Sequence, residues 1–239
     1  MNDYIAGGFF LVPRIPRPDG MSSMLPRNIL TLSNCFADVA PDMWAVDWED
    51  LTDQDRAIEA AKFGIPAKVI PELVKWFSTE IGPDYPNAFA SATMAQEFSK
   101  RFVTRDRAAT IGIGLHKTAL PSFNAQLNKD VNRGLGLVER LQRGQALPDG
   151  GTLQGYEPLG YSGMHFHTWL CHISADEVNS RLGIRPNENG LIPTLEEGIQ
   201  VVRYLTETRA EPAIWEPWIV VEYPSLDSTE LGRKLRTAL

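Results

Sequence analysis

Residues 153–172 read LQGYEPLGYSGMHFHTWLCH. Two apolar runs, Leu153–Tyr161 and Met164–His172, flank the turn pair Ser162-Gly163, which predicts a β-hairpin. A hairpin makes its strands antiparallel neighbours. Beyond it the chain supplies helix starts. Ser174-Ala-Asp-Glu177 and Thr194-Leu-Glu-Glu197 both read as capping boxes. The first opens a helix that Gly183 closes, and the second opens a helix to about Thr208 with Ile199, Val202 and Leu205 inward. Ile214–Tyr223 reads as a strand and Leu226–Leu239 as a final helix.

The other direction from the hairpin is less regular. Tyr4–Val12 is an apolar strand followed by Pro13–Gly20, a stiff extended loop carrying Arg14 and Arg17. Leu25–Ser33 and Met43–Trp48 read as short strands. Thr52-x-x-Asp55 caps a helix that places Ala57, Ile58 and Ala61 on one face until Gly64. Val69–Glu80 is a second helix, with Pro71 in its first turn, and Ser91 caps a third through Phe102. Ala108–Leu115 reads as a strand, Pro121–Lys129 as a short helix, and Leu135–Gln142 as either. Because strands and helices alternate irregularly, the expected class is α+β, with a mixed or mainly antiparallel sheet and helices packed on one face. The expected organisation is one unit over 1–239, built as two closely packed halves, 1–144 and 152–239, joined at 145–151 (QALPDGG).

Composition narrows the functional classes. The 239 residues carry 23 Lys plus Arg against 30 Asp plus Glu, a net charge of −7. An acidic balance without a basic block argues against nucleic acid, since phosphate contacts need clustered cations. No segment approaches the roughly 18 apolar residues of a membrane span. The N-terminal residues lack the basic stretch of a secretory signal. Cys35 and Cys171 lie in opposite halves and are expected to stay reduced in a cytosol. Walker, G-x-G-x-x-G, G-x-S-x-G, H-E-x-x-H and C-x-x-C patterns are all missing from the sequence.

One constellation has chemical potential: His165-Phe-His167-Thr-Trp169-Leu-Cys171-His172. On a strand, His165, His167, Trp169 and Cys171 share one face, about 6.5–7 Å apart in succession, and the more apolar residues take the other. Imidazole and thiolate are zinc or transition-metal ligands, so His165 and His167 form a candidate metal pair. Asp176, Glu157, Glu222 or His116 would supply a third ligand. Alternatively Cys171 is a nucleophile with His167 as its base. The structural alternative, histidines bonded to backbone and a cysteine acting as a small hydrophobe, is favoured because no acidic orienting partner stands at a defined spacing.

Weaker candidates are surface features. Trp215-Glu-Pro-Trp218 places two tryptophans around a proline suited to an edge strand, where they could anchor a partner. Arg185-Pro-Asn187-Glu-Asn-Gly190 is a turn-rich loop that could present Arg185 and Asn187 to the same partner. Lys100, Arg101, Arg105 and Arg107 cluster after the third helix, and Glu211, Glu216 and Glu222 flank the last strand.

Several blocks together resemble a signature of uncharacterised bacterial cytosolic proteins: Gly155-Tyr-Glu-Pro-Leu-Gly-Tyr161, His167-Thr-Trp-Leu-Cys171, Leu182-Gly-Ile-Arg-Pro-Asn187 and Gly190-Leu-Ile192. Gly8-Phe-Phe-Leu-Val12 and Trp215-Glu-Pro-Trp218 are similar to it as well. The family string is closer to His-Ser-Trp-Leu-Cys-Asn, from which Thr168 and His172 depart. The resemblance implies a bacterial cytoplasmic protein and no activity. The expected function is therefore a non-catalytic binding protein without a cofactor, in the manner of an immunity protein capping a basic partner toxin or enzyme. The alternative is a metal- or thiol-dependent hydrolase or transferase built on the His165–Cys171 strand, with zinc or another transition metal in the metal version.

Overall fold

The computed structural model describes residues 1–33, 35–36, 51–62, 64–76, 79, 88–103, 108–127, 137–162, 165–208 and 212–224. The strand expected at Met43–Trp48 and the helix expected at Leu226–Leu239 lie outside them. Seven strands are described: β1 (Tyr4–Pro13), β2 (Ile15–Pro16), β3 (Asn28–Ile29), β4 (Ala108–His116), β5 (Thr152–Ser162), β6 (His165–Thr168) and β7 (Ile214–Tyr223). The helices are α1 (Asp53–Lys62), α2 (Ile70–Trp76), α3 (Ala92–Phe102), α4 (Leu120–Leu127), α5 (Leu137–Arg143), α6 (Ala175–Leu182) and α7 (Leu195–Glu207).

Five strands form one sheet in the order β1-β4-β7-β5-β6, every neighbour antiparallel. The small pair β2–β3 stands apart. The α+β class with an antiparallel sheet is therefore what the chain adopts. Both halves contribute to the sheet: β1 and β4 precede residue 145, and β5, β6 and β7 follow residue 151. The joining stretch is itself anchored, with Ala6 N donating to Gln145 O at 2.7 Å.

Helices cover both faces, which extends the one-faced packing expected from sequence. Phe9, Leu11, Ile219 and Val221 turn to one face, packed with Phe98, Val178, Val201 and Leu205 of α3, α6 and α7. Phe10, Val12, Ile111, Ile113, Trp218 and Val220 turn to the other, with Phe123 of α4 and Leu137 and Leu141 of α5. The physical reason is visible in β1 and β7, whose near-continuous apolar runs are those of strands buried on two sides. In α7 the inward stripe is Gly198, Val201 and Leu205, while Ile199, expected inward, is 43% exposed.

β7 is the central strand, so Pro217 does not mark an edge. Pro217 faces Pro158 of β5 across the ladder. Two prolines can oppose each other only as a non-hydrogen-bonded pair, since neither has an N–H to exchange. Each ring nitrogen then points away from the other strand. The β4 ladder on β7 stops at Ile219, and the β6 ladder on β5 stops at Leu159. Both prolines thus sit just past the end of the ladder that would need their missing donors.

Two bulges shape the sheet. One lies between Ala6 and Gly8 of β1, the other between Leu153 and Gly155 of β5. At the first, Arg140 Nε donates to Gly7 O at 2.6 Å. At the second, Gly155 has φ +141, and a Cβ there would stand 2.9 Å from the Asn187 amide nitrogen and 3.0 Å from Ile192 O. A glycine is required on both counts.

Candidate functional site

The β5–β6 hairpin forms as the sequence indicates, but its second strand is short. β6 ends at Thr168, and Trp169–Cys171 turn into a single 3-10 turn capped at His172. Alternation holds through Trp169. Phe166 and Thr168 enter the face that holds Trp218, His167 stays half-exposed, and Trp169 is fully buried on the opposite face. The turn then carries Cys171 out of line with His167. Strand geometry therefore does not stack His167 and Cys171. A third segment meets His167 instead.

That segment is residues 30–36, pinned across β5 by one carboxylate. Glu157 is buried, and its Oε1 accepts from Thr31 Oγ1 at 2.6 Å while Oε2 accepts from Leu32 N at 3.0 Å. The Thr168 hydroxyl lies beside the same carboxylate. Burial pushes the Glu157 carboxyl up to about 7, against the hydrogen bonds that favour its charged form. Leu30 N adds a bond to Asn189 O at 2.9 Å. Ser33 Oγ then accepts from Cys35 N at 3.3 Å, and Cys35 Sγ arrives 4.0 Å from His167 Nδ1.

The result sets the Cys35 thiol against the His167 imidazole, with the Ser33 hydroxyl on the Cys35 amide. Cys35 is exposed and Cys171 is half-buried. Desolvation pushes the Cys171 thiol up to about 12. It is a thiol rather than a thiolate at neutral pH, the reverse of what an activated nucleophile needs. Beside it opens a cleft of about 560 Å³, lined on one wall by Gly20–Ser23 and Leu25 and on the other by Leu170–Asp176. A second groove of about 500 Å³ runs along α7 at Ile199, Arg203 and Tyr204.

The remaining sequence candidates disperse. Trp218 is 0% exposed and Trp215 is 7% exposed. The expected role of both as partner anchors is corrected, because a central strand buries them. Trp215 lies across Gly160, where a Cβ would stand 2.7 Å from the indole, and Trp218 meets Phe123 edge-on at 5.6 Å. Asn187 is half-exposed, and its amide bonds within the chain. Its Oδ1 accepts from Asn189 N and Leu191 N, and its Nδ2 donates to Gln154 O at 2.7 Å, tying the loop to the β5 bulge. Arg185 is exposed, with Nε donating to Asn179 Oδ1 at 3.3 Å. Arg101 pairs with Glu72 at 2.6 Å, while Arg105, Arg107 and Glu211 lie outside the described residues.

His165 pairs in β6 opposite Ser162, and its side chain lies outside the description. Of the third ligands considered, Glu222 pairs with Arg14 at 2.7 Å, His116 meets Tyr4 edge-to-face, and Glu157 holds the 30–32 segment. Asp176 lines the cleft beside Cys171. Among the described residues no group of three or more His, Cys, Asp or Glu side chains is arranged to hold a metal ion.

Sequence reasoning missed Ser33, Cys35 and the anchoring role of Glu157. Glu157 had a signal, a lone charge between Tyr156 and Pro158 in an apolar strand, since such a residue is buried only with partners. Cys35 had none, because its meeting with His167 is long-range. No family model matches the chain, and no curated protein or solved structure matches it.

Proposed function

We propose that the chain is a non-catalytic binding protein of the bacterial cytoplasm, acting as an immunity-type inhibitor that occupies a basic partner protein. The observation that carries this reading is the state of Cys171. The most suggestive nucleophile in the sequence is half-buried, and desolvation holds it as a thiol. A net charge of −7 supplies the steering field for a basic partner. The test is affinity purification of the tagged chain from its native cells, followed by titration of any co-purified protein. The expected result is a one-to-one complex with a basic protein whose affinity falls as salt rises from 50 to 500 mM, because screening weakens charge steering and pairing. Recovery of the chain alone, carrying stoichiometric zinc or another transition metal, overturns it.

A thiol-dependent hydrolase or transferase is a second reading, favoured by one contact. The sulfur 4.0 Å from His167 Nδ1 belongs to Cys35, so in this reading Cys35 replaces Cys171 as nucleophile. Iodoacetamide labelling at pH 7.5, mapped by peptide, tests it. Cys35 labelling well above the rate of a free thiol supports an activated nucleophile, and labelling at or below that rate removes it.

A further inference from the structure

We propose that the solvent face of α7 is a self-association surface, on which a second copy of this chain docks its own α7 antiparallel across a two-fold axis. The proposal does not rest on the partner-binding reading. The groove of about 500 Å³ along α7 is lined by Leu182 at the end of α6 and by Glu196, Ile199, Gln200, Arg203 and Tyr204. Ile199 is a large apolar side chain in solvent, 43% exposed, and Glu196, Gln200 and Arg203 are exposed with it. Positions 196, 199, 200 and 203 are spaced i, i+3, i+4 and i+7, so they form one stripe along the helix. The opposite side carries the buried Gly198, Val201 and Leu205. The stripe sits on a fixed platform. The Thr194–Glu197 capping box sets the start of α7, and the Tyr204 hydroxyl donates to Glu177 Oε1 at 2.6 Å, tying α7 to α6. A preformed surface loses little conformational freedom on docking.

The charges say what covers this face. Glu196 and Arg203 lie about 10.5 Å apart along the helix axis, with Ile199 and Gln200 midway between them. Among the described residues neither forms an ion pair within the chain. A two-fold axis passing between Ile199 and Gln200 lays the stripe on a reversed copy of itself. Glu196 then faces Arg203 of the partner subunit, Arg203 faces Glu196 of the partner subunit, and the two Ile199 side chains meet near the axis. Two opposite-charge pairs flanking an apolar centre satisfy an isologous interface, in which one patch must complement its own copy. Parallel docking would instead set like charges side by side. A basic segment of another protein would meet Arg203 within the stripe, so the pattern favours the second copy. Glu207, one turn beyond Arg203, lies outside the span of the two pairs. One helix face is a small contact, so the dimer is expected to dissociate at about 1–100 µM.

Sedimentation velocity of the full-length chain between about 1 and 500 µM tests this. The expected result is a rise from the mass of one chain to the mass of two. Ile199→Asp should weaken association at least about tenfold, because it brings two carboxylates to the axis. Glu196→Lys and Arg203→Glu should each stay monomeric alone, since each substitution creates two like-charge pairs. Mixed in equal amounts, these two variants should form a heterodimer, because both pairs are then opposite in charge. A wild-type chain that stays monomeric up to about 500 µM overturns the proposal, including the case in which the groove serves a different protein. A dimer that survives all three substitutions lies on another surface and overturns it too. Two monomeric charge variants that stay monomeric when mixed overturn the antiparallel arrangement. The wild-type titration does not depend on the variants, so a folding defect in one of them leaves the proposal open to refutation.

Discussion

Glu157 is the residue on which the candidate site hangs, and its titration is measurable. Its carboxyl stands near 7 in the fold against 4.5 for an ordinary glutamate, because burial outweighs the bonds from Thr31 and Leu32. A raised carboxyl means the folded chain holds its proton more tightly than the unfolded chain. Stability from this group is therefore highest at low pH, falls as the unfolded chain ionises above 4.5, and levels off above about 7. Glu157→Gln mimics the protonated form. It should match the wild type at pH 5 and exceed it at pH 8 by on the order of 2 kcal/mol. Urea denaturation at both pH values reads this directly, and equal pH dependence in the two proteins would refute it. Glu216 is raised to about 7 by burial as well, so it bends the wild-type curve in the same direction. The sequence shows Glu157 as an anomaly in an apolar strand but not which segment answers it. The partner is Thr31 and Leu32, in an extended stretch with little local pattern of its own. By contrast, the two tryptophans read as either core or partner anchors, because Pro217 suggested an edge, and the central place of β7 buries both.

At the level of elements, caps and turns were the most legible features. Thr194 and Glu197 make the reciprocal capping box that their spacing indicates, with Glu197 N to Thr194 Oγ1 at 3.2 Å and Thr194 N to Glu197 Oε2 at 3.1 Å. Ser174 accepts from Glu177 N, and Gly183 closes α6 in the left-handed conformation. These motifs are read from sequence because each is settled within four residues. The β5 bulge is not local, since its form depends on the 187–192 loop docking against it. Gly155→Ala should cost about 3 kcal/mol or more, from both backbone strain and the clash with Asn187, Leu191 and Ile192. Asn187→Ala should cost about 1–3 kcal/mol by leaving Leu191 N and Gln154 O unpaired. Thermal or urea unfolding of the two variants tests both, and a Gly155→Ala protein as stable as the wild type would contradict the bulge account. The end of β6 was illegible for the same reason, since an apolar run continues through Leu170 while the chain itself turns at Trp169.

For the whole molecule, the sheet decides what can be separated. β7 lies between β4 from the first half and β5 from the second, paired along Thr110–Gly114 on one side and Thr152–Tyr161 on the other. A fragment of residues 152–239 loses β1 and β4 and exposes a long, apolar strand edge. It should show no cooperative unfolding by circular dichroism and should aggregate, and a soluble, cooperatively melting fragment would show instead that the halves fold alone. The alternation of β1 and β7 was legible as apolar content but not as two buried faces, because helix placement is set by tertiary packing rather than by either strand. The facing prolines at 158 and 217 have a consequence for assembly. If β7 slid by one residue along β5, a ring nitrogen would fall where the ladder demands an amide hydrogen. The pair thus works as a key against every odd-numbered slip of the two longest mutually paired strands.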